Sequence, residues 1–419
     1  MDTGNNPDPI DAFFHRHGLT PSARAQCHAF ARAHLGGARD IREATTQGYC
    51  SYTLLCDGDD DDDEDAIVQF RPAAHQLDIE LAAAARRIYG ALAPATRFLG
   101  VVPGDRRCPL YAYSMARIPG VSLAEFRAAA AAADPPTGRS SSSPSPHRRQ
   151  RQRQRHRWQE NLVRGFARFL CAGWRSSLDS HPPASAAAAR GRVGGSLRRR
   201  LEMMRDGLPA RFRPAVEDVL SGLDAVEALP WVLTHGDVVP GNIMVEGPAD
   251  EEGEERDTAA ASRRRRPGSL CGLLDWAEAE FLPFGVGLAG AEELLGEALL
   301  AAGAGVGADG PYPPPSSRFA YYPCAAELRS VLWEELRAGI PELPLLAGDA
   351  VARARVLGIL LWHGIAFADG RLDRVVQEGR DDEEIQRLDV FLFGAAAGAE
   401  IRPGLGLVIV TGVSEAGFI

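Results

Sequence analysis

Two short stretches carry the residue types that bond-making chemistry needs. The first is Trp231-Val-Leu-Thr-His235-Gly-Asp237-Val-Val-Pro-Gly-Asn242-Ile-Met-Val245, and the second, after a long insertion, is Leu270-Cys-Gly-Leu-Leu-Asp275-Trp276. Asn242 to Val245 reads as a strand leaving a turn, and Ser269 to Leu274 as a strand able to return antiparallel beside it. The start of one then meets the end of the other, which makes Asn242 and Asp275 neighbours. Asp237 sits in the loop just before, where Gly236, Pro240 and Gly241 favour a tight turn. Two carboxylates and a side-chain amide suit a hard cation. Mg2+ takes oxygen ligands and commonly uses one or two protein groups together with phosphate oxygens and water. Asn242 and Asp275 fit that role. Asp237 can stay off the metal and accept a proton from a hydroxyl or amine as it attacks a phosphoryl group, an assistance worth about 10²- to 10⁴-fold. His235 reads as an orienting residue rather than the base. The competing reading is a polar loop with no chemistry.

The elements that must position these residues are legible in outline. Tyr49 to Cys56 and Ala66 to Arg71 are strand-like and flank an acidic run, Asp57 to Asp65, so they predict a hairpin. From Gln76 to Tyr89 the apolar residues Leu77, Leu81, Ala84 and Ile88 follow helical spacing, with Glu80 on the same stripe. Leu110 to Ile118 reads as another strand, ending at Pro119-Gly120. The remainder is mostly helical, for instance Glu160 to Trp174 and Ala325 to Ala338, with strands near Trp231 to Thr234, Asn242 to Val245 and Ser269 to Leu274. Four biased segments interrupt this pattern: the acidic run, Ala128 to Arg157, Gly247 to Pro267 and Ala301 to Ser317. All are expected to be solvated loops. The outline is α+β, a small antiparallel β lobe with one main helix and a larger, mostly helical lobe.

Composition removes several alternatives. All 46 basic residues of the 419 are arginine, so Schiff-base chemistry, pyridoxal phosphate anchoring and a GxxxxGK[ST] phosphate loop are excluded for want of an ε-amine. The seven cysteines form no CxxC pair, there is no HExxH and no GxSxG, and neither a membrane span nor a signal peptide is evident, so a cytoplasmic protein is expected. An arginine tract at 148–157 is a candidate footprint for nucleic acid, yet the net charge is −10 and no aromatic interleaving accompanies it, so no nucleic-acid partner and no membrane partner are expected. Gly285-Val-Gly287-Leu-Ala-Gly290 spells GxGxxG, but it stands ten residues beyond its strand, with Pro283 between, and no acidic ribose ligand follows.

His235-Gly-Asp237-Val-Val-Pro-Gly-Asn242 and Leu274-Asp275-Trp276 resemble the catalytic loop and metal motif of the aminoglycoside phosphotransferase and choline kinase superfamily, within the protein-kinase-like fold. The resemblance spans roughly Ile41 to Phe393 and is similar to many fungal phosphotransferase-like proteins of undefined substrate. It implies ATP and Mg2+ as cofactors, Asp237 as base, and Asn242 and Asp275 as metal ligands. It also implies an N-terminal helical extension over 1–40, a nucleotide-binding lobe over 41–118, a helical lobe over 119–398 with disordered inserts at 128–157, 247–267 and 301–317, and a tail over 399–419 that includes the apolar Leu405 to Val413. Arg71, in the alternating strand Val68-Gln-Phe-Arg71, is similar in place to the family's phosphate-binding lysine, with Glu80 its expected carboxylate partner. Thr46-Gln-Gly48-Tyr-Cys-Ser51 corresponds to the nucleotide-covering turn, with one glycine only. Met115-Ala116-Arg-Ile118 corresponds to the hinge whose backbone pairs with adenine. The acceptor is a small molecule, and Glu278, Glu280, Glu292, Glu293, Trp362-His363 and Asp369 are candidates to line its pocket, the acidic ones to receive a cationic group. A kinase-like fold that binds nucleotide without turnover is the rival reading, favoured by the lost lysine and the glycine-poor turn.

Overall fold

The structure is a computed structural model, and it describes residues 9–20, 22–35, 40–45, 47–58, 65–104, 107–132, 146–179, 191–247, 266–300, 317–343, 348–368 and 371–394. Most of the acidic run, most of the second and third insertions, Thr46, Asp369 and the apolar tail lie outside these residues. The chain divides into two compact units, one of Met1–Gly120 with Cys271–Glu278 and one of Val121–Leu270 with Ala279–Ile419.

The first unit opens with α1 (Pro9–Arg16) and α2 (Ser22–Leu35), followed by β1 (Asp40–Glu43), β2 (Tyr52–Asp57) and β3 (Ala66–Pro72). Then come α3 (Ile79–Tyr89), β4 (Thr96–Val101) and β5 (Leu110–Ala116). The five strands form one antiparallel sheet in the order β1-β2-β3-β5-β4. Alternation along β3 sends Val68 and Phe70 into a core that they share with Tyr52, Leu54 and Cys56 of β2. Phe13, Phe14, Cys27, Phe30 and Ala31 of α1 and α2 fill the same core, so the residues expected to be an extension are part of this unit's packing.

Helix α3 corrects the expected start. Asp78 caps it, its carboxylate accepting from the Glu80 and Leu81 N–H groups, so the helix starts at Ile79 rather than Gln76. Ala84 of the expected stripe is buried together with Ala82, Ala85 and Tyr89, Leu77, Leu81 and Ile88 are half-buried, and Glu80 turns to solvent. Gly90, at φ 58°, ends the helix in a conformation open to a residue without a β-carbon.

The second unit begins with β6 (Val121–Ser122), α4 (Leu123–Ala132) and α5 (Pro146–Asp179). Ser122 and Glu125 cap α4 reciprocally: the Ser122 hydroxyl accepts from the Glu125 N–H at 3.1 Å, and the Glu125 carboxylate accepts from the Ser122 N–H at 2.9 Å. The disordered insert expected at 128–157 is therefore overturned at both ends, since α4 runs to Ala132 and α5 starts at Pro146. Arginine and glutamine are good helix formers, and the helix is anchored downstream by Leu162, Val163, Phe166, Phe169 and Trp174, all buried.

After α6 (Leu197–Gly207), α7 (Arg213–Ser221) and α8 (Leu223–Glu227) come β7 (Trp231–Thr234) and β8 (Ile243–Val245), and then β9 (Leu270–Leu273), which from Cys271 on belongs to the first unit. Strand β8 pairs antiparallel with β6, and the Glu246 N–H to Ser269 carbonyl bond, 2.9 Å, begins the expected return after the insertion. Strand β10 (Glu280–Pro283) pairs antiparallel with β7. The C-terminal part holds β11 (Gly296–Leu300), β12 (Ser317–Tyr321), α9 (Ala325–Gly339), α10 (Gly348–His363), β13 (Ile365–Ala368), β14 (Arg371–Val375) and α11 (Asp382–Phe393).

Candidate active site

In the second unit the chain leaves β7 at Thr234 and turns through His235-Gly236-Asp237. His235 is buried, and its Nδ1 accepts the Asp237 N–H at 3.2 Å, so the imidazole fastens the turn and presents no proton at that nitrogen. Gly236 has φ 87°, which only glycine adopts without cost. The Asp237 carbonyl accepts the Val239 N–H at 3.1 Å, and the Val239 carbonyl accepts the Asn242 N–H at 2.9 Å. The Asn242 amide nitrogen donates to the Asp237 carbonyl at 3.1 Å and to its Oδ2 at 2.8 Å. One amide thus fixes the carboxylate of Asp237 and keeps its own Oδ1 as an oxygen donor. The Pro240 carbonyl accepts the Ala124 N–H at 3.1 Å, which ties the same turn to the start of α4.

The GxGxxG string has a packing explanation. Gly285 stands at φ 103° as the N-cap of a 3₁₀ helix, Val286–Leu294. A β-carbon on Gly290 would come within 2.8 Å of Val238 Cβ, next to Asp237, whereas one on Gly287 would make ordinary 3.5 Å contacts. The string is a close-packing device behind the turn.

In the first unit, Asp275 is the one non-glycine residue with positive φ among the described residues, at 56°. Such a conformation costs on the order of 1–3 kcal/mol and is held by its surroundings. Trp276 supplies part of that hold: its indole N–H donates to the Leu273 carbonyl at 2.9 Å and its ring lies 5.2 Å from Tyr89. Asp275 Oδ1 accepts from Arg71 Nη2 at 2.8 Å, and Arg71 Nε donates to Gln69 Oε1 at 3.0 Å. Arg71 is only 2% exposed, and burial of a guanidinium is tolerable when its charge is met. Asp275, and not Glu80, is the carboxylate that meets Arg71, and Glu80 is exposed on α3. Gln69 was visible in sequence as the same-face neighbour two residues before Arg71; Asp275, 204 residues away, was not.

The turn before β2 is bracketed by Gln47, whose amide donates to the carbonyls of Ala44 and Thr53 and accepts the Thr53 N–H at 2.8 Å. Ser51 is buried, and a β-carbon on Gly48 would stand 3.0 Å from its Oγ. Burial pushes the Cys50 thiol up, opposed by Arg71 and assisted by Asp275 and Glu278, which places this turn within electrostatic reach of the Arg71–Asp275 pair. Of the expected hinge, Met115 and Ala116 lie inside β5, paired with Ile67 and Ala66, and the Ala116 N–H is committed to the Ala95 carbonyl at 2.9 Å. Ile118 is buried against Gly272, and the boundary of the unit falls after Gly120. Asp275, Arg71, Gly48 and Ser51 belong to the first unit; His235, Asp237 and Asn242 belong to the second.

Three of the acidic candidates for an acceptor pocket are already used. The Glu280 carboxylate accepts the backbone N–H groups of Arg192, Val193 and Gly194. Glu292 is buried and takes Arg355 Nε at 2.9 Å, Arg329 Nη2 at 2.6 Å and the Tyr321 hydroxyl at 2.6 Å. Glu293 pairs with Arg387 at 3.3 Å, and His363 Nδ1 lies 2.5 Å from Glu384. Among the described residues no three His, Cys, Asp or Glu side chains form a metal cluster.

No protein-family model matches the chain, and no curated protein does. Among solved structures it is similar to a GDP complex of an aminoglycoside 2′-phosphotransferase, at 12% identity and TM-score 0.45, covering 82% of this chain and 90% of that one. It is also similar to a ternary complex of another aminoglycoside phosphotransferase with ADP and hygromycin B, at 11% identity and TM-score 0.37, covering 84% and 90%. A macrolide 2′-phosphotransferase from Brachybacterium faecium matches at 15% identity and TM-score 0.38, covering 80% and 96%. The structures this chain is similar to are small-molecule phosphotransferases.

Proposed function

We propose that the protein is an ATP-dependent phosphotransferase that moves the γ-phosphoryl group to a hydroxyl or amine of a small molecule. The observation that carries this reading is the double hydrogen bond from the Asn242 amide to Asp237, which orients a carboxylate and leaves an amide oxygen of the kind a hard cation takes. Asn242 and Asp275 are the residues that would hold Mg2+, which would neutralise charge on the phosphates. Arg71, held by Gln69 and Asp275, would serve as the phosphate-binding cation. Asp237 takes the proton of the attacking hydroxyl or amine. A new bond to the γ-phosphorus forms, the bond from that phosphorus to the bridging β-phosphate oxygen breaks, and ADP leaves with the bonding pair. Gly48, Ser51 and the Cys50 turn cover the phosphates, and the segment from Met115 to Ile118 borders the base. The acceptor pocket lies with the helical unit.

A nucleotide-binding protein without turnover is the second reading. Arg71 in place of lysine, and its direct bond to the metal-binding candidate Asp275, favour it. MgATP binding is common to both readings: at a hundredfold excess over Kd the folded state gains about 2.7 kcal/mol, read as a rise in melting temperature. Asp275→Ala is expected to abolish that rise. A parent protein whose melting is unchanged across millimolar MgATP refutes both.

A further inference from the structure

The turn proposed to cover the nucleotide has one glycine in place of a glycine-rich loop, yet it is not left to hold itself. Helix α1 ends on it. Arg16, in the last turn of α1, donates from Nη1 to the Tyr49 carbonyl at 2.8 Å, and its guanidinium carbon lies 3.9 Å from the centre of the Tyr49 ring. Helix α1 is itself immobilised by Phe13 and Phe14, both buried, whose rings lie 6.3 and 5.0 Å from that of Tyr52 at the start of β2. The residue after Tyr49 is Cys50, whose thiol feels Arg71, Asp275, Glu278 and Arg16 together. Helix α1 and the Tyr49 turn are thus joined by direct contacts, and the turn belongs to the same unit as the Arg71–Asp275 pair.

We infer that Arg16 is a positioning residue for nucleotide binding, which clamps the Tyr49 turn so that its backbone is set before the phosphates arrive. The inference rests on the phosphotransferase reading of the preceding section. Its physical basis is preorganisation: a turn fixed in advance does not lose conformational freedom on binding, so the clamp strengthens nucleotide affinity without touching the reacting atoms. A flexible glycine loop gains close approach to phosphate at an entropic cost that this chain avoids. The Arg16 contacts comprise one charged hydrogen bond and one exposed cation–π stack, together able to change affinity on the order of tenfold.

The test uses the full chain with Arg16→Ala and Arg16→Lys. Lysine keeps a charged donor and a cation for the ring, and it is expected to restore most of what alanine loses. In Arg16→Ala the MgATP concentration at half-maximal thermal stabilisation, and KM for MgATP where turnover is measurable, rise about tenfold while kcat stays within about twofold. Backbone amide exchange over residues 47–53 accelerates in the alanine variant without nucleotide, while exchange in β3 and β5 is unchanged. A lower melting temperature with an unaltered MgATP midpoint would make Arg16 a structural tie and overturn the inference. A parent unmoved by MgATP removes the reading beneath it and the inference together. A responsive parent with an unchanged Arg16→Ala removes the inference alone.

Discussion

Glu292→Gln tests whether the acidic residues after Asp275 serve the fold or a cationic acceptor. The carboxylate is 2% exposed and meets two guanidiniums, those of Arg329 and Arg355, each 13% exposed. Burial alone pushes Glu292 up, but Arg355 and Arg329, with the Tyr321 hydroxyl, outweigh it and hold the carboxyl below its usual range. Glutamine keeps the shape and one acceptor but leaves two largely buried cations without their counter-charge, a loss of about 3–5 kcal/mol. For a body of this size that corresponds to a fall of roughly 6–20 °C in melting temperature. Because the folded pKa is depressed, the stabilisation is complete above the unfolded value and is lost only as pH falls through the folded one. Denaturant titrations of parent and variant are therefore expected to differ by a constant amount from pH 8 to pH 5, and to converge only in stronger acid. A difference below about 1 kcal/mol at pH 7 would refute the buried-network account, as would convergence already between pH 7 and pH 5.

Two further variants probe the surroundings of the site. Arg24 holds the Glu43 carboxyl down at about 2, against burial and with help from Tyr52 and His28, and so ties α2 to β1. Glu43→Gln is expected to cost about 1–2 kcal/mol at pH 7, discounted because Arg24 is 41% exposed; the loss should fade as the parent is acidified from about 4.5 toward 2, and a pH-independent difference in melting would contradict it. Gly290→Ala sets a methyl 2.8 Å from Val238 Cβ, costs about 1–3 kcal/mol, and is expected to lower turnover more than tenfold by displacing Asp237. Gly287→Ala, at ordinary contact distance, is the control, and equal activity in the two variants would refute the packing role.

The hairpin of β2 and β3 was legible because alternation and the intervening acidic run both mark it, and α9 was legible from its periodicity. The turn at 235–242 was legible because His, Gly, Asp, Pro and Asn each have a local reason to be there. Strand β1 was not, since Asp40-Ile-Arg-Glu43 has the polarity of a loop and is a strand only through its pairing with β2. The start of α5 was hidden by composition: arginine and glutamine read as solvated low complexity, although both favour helix once a buried segment propagates it. Glu80 lies exposed in the first turn of α3, and the carboxylate that meets Arg71 is Asp275, which the helical stripe does not reveal. Partners far apart in sequence, such as Arg71 with Asp275 or Arg16 with Tyr49, leave no local pattern, and only folding reveals them.

The measurement that bears most directly on phosphoryl transfer is ADP formation from MgATP by the purified parent and Asp237→Asn, across a library of hydroxyl- and amine-bearing metabolites. For at least one acceptor the parent is expected to release ADP in proportion to phosphorylated product, and Asp237→Asn to lose about 10²- to 10⁴-fold of that rate while keeping its MgATP-dependent stabilisation. A parent that is stabilised by MgATP yet forms no ADP with any acceptor, or an Asp237→Asn variant as fast as the parent, would contradict the assignment of Asp237 as the base of a phosphotransferase.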